Sequence, residues 1–289
     1  MWRASKTVED TSWVRVLARF AWFGVALLTS AASQPFMRST AVAVPVSLPV
    51  SVSTGLGSTV WVATNDSSTS GGAFGGFCGY SPALGLTDAG SAAGSASGAF
   101  DAYDEAWSVW IDGVPFVAPA TVDLTGTTLL AGPVPMSGLN VWVQYFFSIN
   151  TQAMRMLVFL QNSTASTITA VVEVPVNFGS DSYTQVDDTS SGDTSVTVAD
   201  RWVVTSDGGR GDPVNTSVFY GPGAPAVAPF NYTQTVFECS GSEGLGATFN
   251  ISVPANSARA LMFFAALGDI LGTGNPFQGP RRMRRYSIR

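Results

Sequence analysis

The chain has 289 residues, 46% hydrophobic and only 12% charged, with 20 acidic against 14 basic side chains and no histidine. That supplies apolar surface for a substantial core and too little charge for intrinsic disorder. Without histidine, Ser-His-Asp and Cys-His catalysis and imidazole metal ligation are closed.

The first 33 residues read as a signal peptide. Arg3, Lys6, Arg15 and Arg19 precede the apolar run FAWFGVALL, and TSAASQP follows with Ser30 and Ala32 at small-x-small spacing. The run is about half of what a membrane span requires, and no later stretch is long and apolar enough, so no span is expected after signal removal. Lys6 is the only lysine, so Schiff-base, Ser-Lys and phosphate-cradling lysine chemistry is absent from the rest of the chain. Between Gln34 and Pro276, 18 acidic residues face five arginines. Such a body lacks the basic face that nucleic acid demands, and no nucleic-acid partner is expected.

From residue 34 to 276 the pattern predicts one all-β domain, a large antiparallel β-sandwich, with room for a smaller N-terminal strand group. Residues 65–100, rich in Gly, Ser and Ala, predict an irregular insertion. In SVWIDGVPFV, Asp112-Gly113 predicts a two-residue hairpin. VWVQYFFSIN and STITAVVEVPVNF alternate with period two, and ARALMFFAAL is apolar on both faces, as a fully covered strand would be. Residues 277–289 form a basic tail with five arginines in the last nine positions, expected to be a solvated end.

Four groups of residues are candidates for chemistry. Tyr103, Trp107 and Trp110 surround Glu105 in DAYDEAWSVW and, with Trp142, would form a stacking platform for carbohydrate. The same Glu105 would be the carboxylate of a glycoside hydrolase, which needs a second acid about 5–9.5 Å away. In NFGSDSYTQVDDTSSGDTSVTVADRW, the aspartates Asp181, Asp187, Asp188 and Asp193 are possible calcium ligands. The stretch lacks EF-hand spacing, however, and Asp, Ser, Thr and Gly are also what tight turns demand, which is the favoured reading. Cys78 and Cys239 can pair in an oxidising compartment or remain free thiols. The sequons at Asn65, Asn162, Asn215, Asn231 and Asn250 matter only in a host that glycosylates asparagine. Arg210-Gly211-Asp212 spells an adhesion tripeptide that a Gly/Asp-rich turn also produces by chance.

The succession NFGSD, TSSGD, ADRWVVTSD, GDP and VFYGPG, across residues 144–267, resembles a recurring pattern in secreted bacterial β-sandwich proteins of uncharacterised function. The resemblance implies an extracellular module and brings no activity with it. Within it Asp200, Arg201 and Trp202 would form a fixed local unit. The function expected on these grounds is a structural or interaction role outside the cell or on its surface, with carbohydrate or another surface protein as partner. A carbohydrate-binding module and a carboxylate glycosidase are the alternatives.

Overall fold

The computed structural model describes residues 42–54, 59–67, 82–91, 101–222, 231–236 and 244–268. The leader, Cys78, Cys239 and the basic tail lie outside these residues, as do the side chains of Glu105 and Asn231. In chain order the strands are β1 Val44–Ser47, β2 Val50–Ser53, β3 Thr59–Ser67, β4 Ala83–Ser91, β5 Tyr103–Ala106 and β6 Trp110–Ile111. Next come β7 Val114–Pro115, β8 Thr121–Thr125, β9 Thr128–Met136, β10 Leu139–Phe147, β11 Ala153–Asn162 and β12 Ile168–Phe178. A 3-10 turn, Asp181–Tyr183, leads to β13 Gln185–Thr189, β14 Trp202–Ser206, β15 Asn215–Val218, β16 Asn231–Val236, β17 Gly244–Val253 and β18 Ser257–Leu267. Among the described residues no helix is long and apolar enough to cross a membrane.

The protein is all-β, and its strands pair antiparallel in two large sheets. The first runs β1-β8-β9-β10-β11-β18-β15-β14-β13; the second runs β16-β17-β12-β5-β4-β3-β2, with the β6–β7 hairpin paired to β12. Period-two alternation sets each inner face. Met154, Met156, Val158 and Leu160 of β11 point inward, as do Ala170, Val172, Val174, Val176 and Phe178 of β12. Rings stack across the interior: Trp61 lies 5.4 Å from Phe147, Phe249 5.4 Å from Phe263 and Trp107 5.9 Å from Phe219. Each pair joins a residue of one sheet, or of its connections, to the other.

Three sequence expectations change here. The N-terminal strands are no separate group, because β1 pairs with β8 in the first sheet while β2 to β4 continue the second. β4 falls inside the stretch read as irregular. Its small residues hide the alternation, since Ala83, Leu84, Leu86 and Ala89 are all buried between β3 and β5. β18 is covered on one face only, as a two-layer sandwich dictates, leaving Met262 39% exposed. The Asp-Gly hairpin forms as expected, with φ of 50° at Asp112 and 75° at Gly113, the left-handed pair a type I′ turn requires. Its tip is tied to β12, where the Val171 amide donates to Asp112 Oδ1 at 2.7 Å.

Candidate functional site

The aromatic platform predicted around Glu105 does not exist as a surface. Tyr103, Trp107 and Trp110 are buried in the core, so no ring face is free for a sugar. The cause lies at Trp107, whose φ of 58° breaks the alternation of β5 and turns the indole inward, while its amide donates to Pro175 O at 3.0 Å. Of the proposed stacking residues, Trp142 is the one left half-exposed, on the outer face of β10.

That outer face is unlike the others. Cross-strand register lays its side chains in three rows: Phe146–Arg155–Phe264–Val218–Trp202, Leu130–Gln144–Leu157–Met262, and Trp142–Phe159–Ala260. Phe146 is 37% and Phe159 36% exposed. Trp142 meets Phe159 edge-on, centroids 5.5 Å apart. Arg155 is the single charge in these rows; its Nη2 donates to Gln144 Oε1 at 2.6 Å and its guanidinium lies 5.4 Å from the Phe146 centroid. Its Nε is covered yet has no hydrogen-bond partner. Leu130, Trp142, Gln144, Leu157 and Phe159 enclose a shallow depression of about 300 Å³. A second, of about 360 Å³, opens at the end of β11 and is lined by Gln161, Asn162, Ser163, Asn256, Ser257 and Ala258. Neither lining contains a carboxylate, so neither offers the acid pair of a glycosidase.

The aspartates of the 177–202 stretch bond within their own segment, Asp187 and Asp188 in strand β13 and Asp193 in the turn after it. Asp187 Oδ1 accepts from Gln185 Nε2 (3.1 Å), Asp188 Oδ1 from the Thr189 amide (3.0 Å), and Asp193 Oδ1 from Thr189 Oγ1 (3.1 Å) and the Ser195 amide (2.9 Å). Asp181 stands apart in the 3-10 turn. Among the described residues no three His, Cys, Asp or Glu side chains are grouped so as to hold a metal ion. The sequons are corrected in part. Asn162 and Asn215 are buried, their amides donating to backbone carbonyls, and Asn65 exchanges two 2.9 Å bonds with the Ala118 backbone. Asn250 alone among those with described side chains is exposed and without such a commitment.

A cluster not anticipated from sequence forms at one end of the sandwich. Asp88 of β4, Asp101 before β5, Asp181, and Asp207 and Asp212 of the β14–β15 loop converge there. Asp88 Oδ1 accepts from the Ala102 amide at 3.3 Å, while Ala102 O accepts from Gly179 N (3.2 Å) and Asn215 Nδ2 (3.1 Å), tying three segments together. Gly179 sits so close to Asp101 that a Cβ would overlap its backbone and carboxylate. Asp207 is buried, and its oxygens accept from the Gly209 amide at 2.7 Å and the Asp212 amide at 3.0 Å. Arg210 in this loop is exposed and its guanidinium is stacked 3.5 Å over the ring of Tyr183, itself 54% exposed.

Burial pushes the Asp88 carboxyl up to about 7, reinforced by Asp101 and Asp104; burial pushes Asp212 up to about 6, reinforced by Asp207, Asp101 and Asp181. Asp101 is raised by burial and by Asp181. These folded-state values exceed the unfolded value of about 3.9, so the native chain retains protons that the unfolded chain releases. Stability is therefore greatest below about pH 4 as far as these groups are concerned, and declines as pH rises to about 7. The melting temperature is expected to be several degrees lower near pH 8 than near pH 5, and Asp88→Asn should flatten that slope in calorimetry. A melting temperature that climbed over the same interval would contradict the burial of these acids.

No family model matches the chain, and no curated protein does. Solved structures align over much of it at low similarity. A kojibiose phosphorylase described from the human microbiome aligns with TM-score 0.44 and 9% identity, covering 82% of this chain and 33% of the other. A TPR-domain containing protein from Parabacteroides distasonis has TM-score 0.43 and 11% identity over 75% and 47%, and a polysaccharide lyase 0.39 and 10% over 69% and 33%. The chain thus spans less than half the length of each, and likeness of this order carries no functional argument.

Proposed function

We propose that this chain is an exported, non-catalytic binding module whose working surface is the outer face of β9, β10, β11 and β18, and whose ligand is carbohydrate. The observation that carries the reading is the row Trp142–Phe159 beside the Gln144–Arg155 pair: ring faces and edges for stacking, flanked by amide and guanidinium groups for hydroxyls. The three rows span roughly 24 Å by 14 Å at ordinary strand spacings, a footprint suited to a short run of sugar rings. A stable protein interface covers about 800 Å² on each partner, more than twice that area, which favours carbohydrate over a surface protein. The signal-like leader supports a location outside the cell or on its surface, as does the resemblance to secreted bacterial sandwich proteins.

Affinity electrophoresis through gels containing neutral polysaccharides tests this. Trp142→Ala and Phe159→Ala are each expected to weaken retardation about tenfold, equal to about 1.4 kcal/mol, with little change in melting temperature. If the wild-type chain is retarded by no polymer, carbohydrate is ruled out; if Trp142→Ala is retarded like wild type, the site lies elsewhere.

A further inference from the structure

The depression at the end of β11 continues the face on which the carbohydrate reading rests. Gln161 follows Phe159 by two residues, so both side chains leave the same side of the first sheet, about 7 Å apart along the strand. Register adds a fourth row, Asn140–Gln161–Ala258, beside Trp142–Phe159–Ala260. Leu157 and Phe159 line the first depression, Gln161 and Ala258 the second. From Leu157 to Ser163 the two together follow about 20 Å of chain.

Along that line the chemistry passes from rings to amides and hydroxyls. Asn162, at the base, is fully committed. Its Nδ2 donates to Ser166 O at 2.7 Å, Val253 O at 2.9 Å and Pro254 O at 3.1 Å. Its Oδ1 accepts from the Thr164 amide at 2.9 Å and the Thr164 hydroxyl at 2.7 Å. The Asn256 backbone amide adds a bond to Thr164 O at 3.1 Å. These contacts join the β11–β12 turn to the β17–β18 turn, so the rim is fixed before any ligand arrives. By contrast, the side chains of Gln161, Ser163 and Asn256 make no hydrogen bond among the described residues, and all three reach solvent. The lining holds no charged side chain; the neighbouring Arg259 lies outside it and turns its Nη1 back on Ala258 O at 3.3 Å. Amides and hydroxyls both donate and accept, as sugar hydroxyls do, whereas a carboxylate or phosphate would meet no cation in this lining.

Resting on the carbohydrate reading, we infer that the depression between Gln161–Ser163 and Asn256–Ala258 is a further subsite of the same face. It holds, through hydroxyl groups, the uncharged sugar unit that follows those stacked on Trp142 and Phe159. The ligand then runs along β11 rather than across the strands.

The test is affinity electrophoresis of the full chain through gels containing hydroxyethylcellulose, xylan or soluble starch. Linear oligosaccharides of two and of six units, cut from the retarding polymer, serve as competitors. The double variant Gln161→Ala, Asn256→Gly removes both free amides, and glycine suits the φ of 50° at position 256, so melting should match wild type. Its retardation is expected to fall about fivefold. The six-unit competitor should release wild type at about a tenth of the concentration that the two-unit one requires, and the variant should lose most of that advantage. The two-unit competitor should act on both alike. Should the double variant melt lower than wild type, Gln161→Glu, of the same size, is read in its place by the same criteria. A wild-type chain that no polymer retards removes the carbohydrate reading and the subsite with it. Retardation lost in Trp142→Ala but kept in the double variant overturns the subsite alone, as does an equal loss against both competitor lengths.

Discussion

Trp107→Ala is expected to unfold the protein about 3–5 kcal/mol more easily, lowering the melting temperature on the order of 10 °C, rather than to remove a ligand contact. The indole is fully buried and stacks 5.9 Å from Phe219, so truncation leaves a cavity between the sheets that rigid strands cannot close. The backbone around it is fixed as well: its amide binds Pro175 O, and its carbonyl accepts the Tyr145 hydroxyl at 2.8 Å. Because φ is 58°, alanine inherits the left-handed strain while losing the packing that sustained it. Trp107→Gly should therefore be about 1 kcal/mol less damaging than its size suggests, glycine being at ease with positive φ. Denaturant titration of the two variants separates cavity from strain. A Trp107→Ala protein that melts like wild type would place the indole at the surface and reopen the platform around Glu105. Trp142→Ala, by contrast, should affect binding and barely touch stability, so the pair tells a binding defect from an unfolding one.

How much of this was legible follows from what alternation can and cannot carry. β11 and β12 declare themselves because every second side chain is large and apolar, and Asp112-Gly113 declares its turn because few other dipeptides tolerate two positive φ values. β4 is silent because alanine and glycine fill a doubly covered strand without contrast between its faces. Tyr103, Glu105 and Trp107 look like one face of a strand because period two assumes regular backbone. A single left-handed residue cancels that assumption, and nothing in the letters DAYDEAWSVW signals it. The Trp142–Phe159 row was half visible: Trp142 is an obvious aromatic, but its pairing with Phe159 depends on register between β10 and β11, which a sequence leaves open. The acidic end was invisible for the same reason on a larger scale. Asp88 comes from β4 and Asp101, Asp181 and Asp212 from three different connections, and only the assembled topology brings them to one end.

Asp200→Asn should be the most damaging polar substitution in the 177–202 stretch, at about 2–3 kcal/mol near neutral pH. The side chain is shielded from solvent by its own loop, near the surface rather than deep between the sheets. One carboxylate oxygen accepts the Ser191 amide at 3.0 Å and the Ser190 hydroxyl at 3.4 Å; the other accepts the Thr197 amide and hydroxyl, both at 2.9 Å. Enclosure alone would raise the Asp200 carboxyl, but the donors from Ser191 and Thr197 outweigh it and hold it below its ordinary value. Its folded pKa is thus lower than its unfolded one, so the stabilisation is complete above about pH 4 and is lost as pH falls through the folded value. This slope is opposite to that of Asp88 and Asp212 and lies at lower pH. An asparagine keeps the shape but offers one acceptor where two are needed, and its NH₂ then faces donors at the other oxygen. The gap in stability between wild type and Asp200→Asn should narrow below about pH 4, where the wild-type carboxylate protonates too. The loss should also be local in hydrogen exchange, with the Ser191 and Thr197 amides opening first, because Asp200 ties the connection of β13 and β14 at the edge of the first sheet. An Asn variant as stable as wild type at pH 7, with those two amides still protected, would show that Ser190, Ser191 and Thr197 hold this loop without the charge.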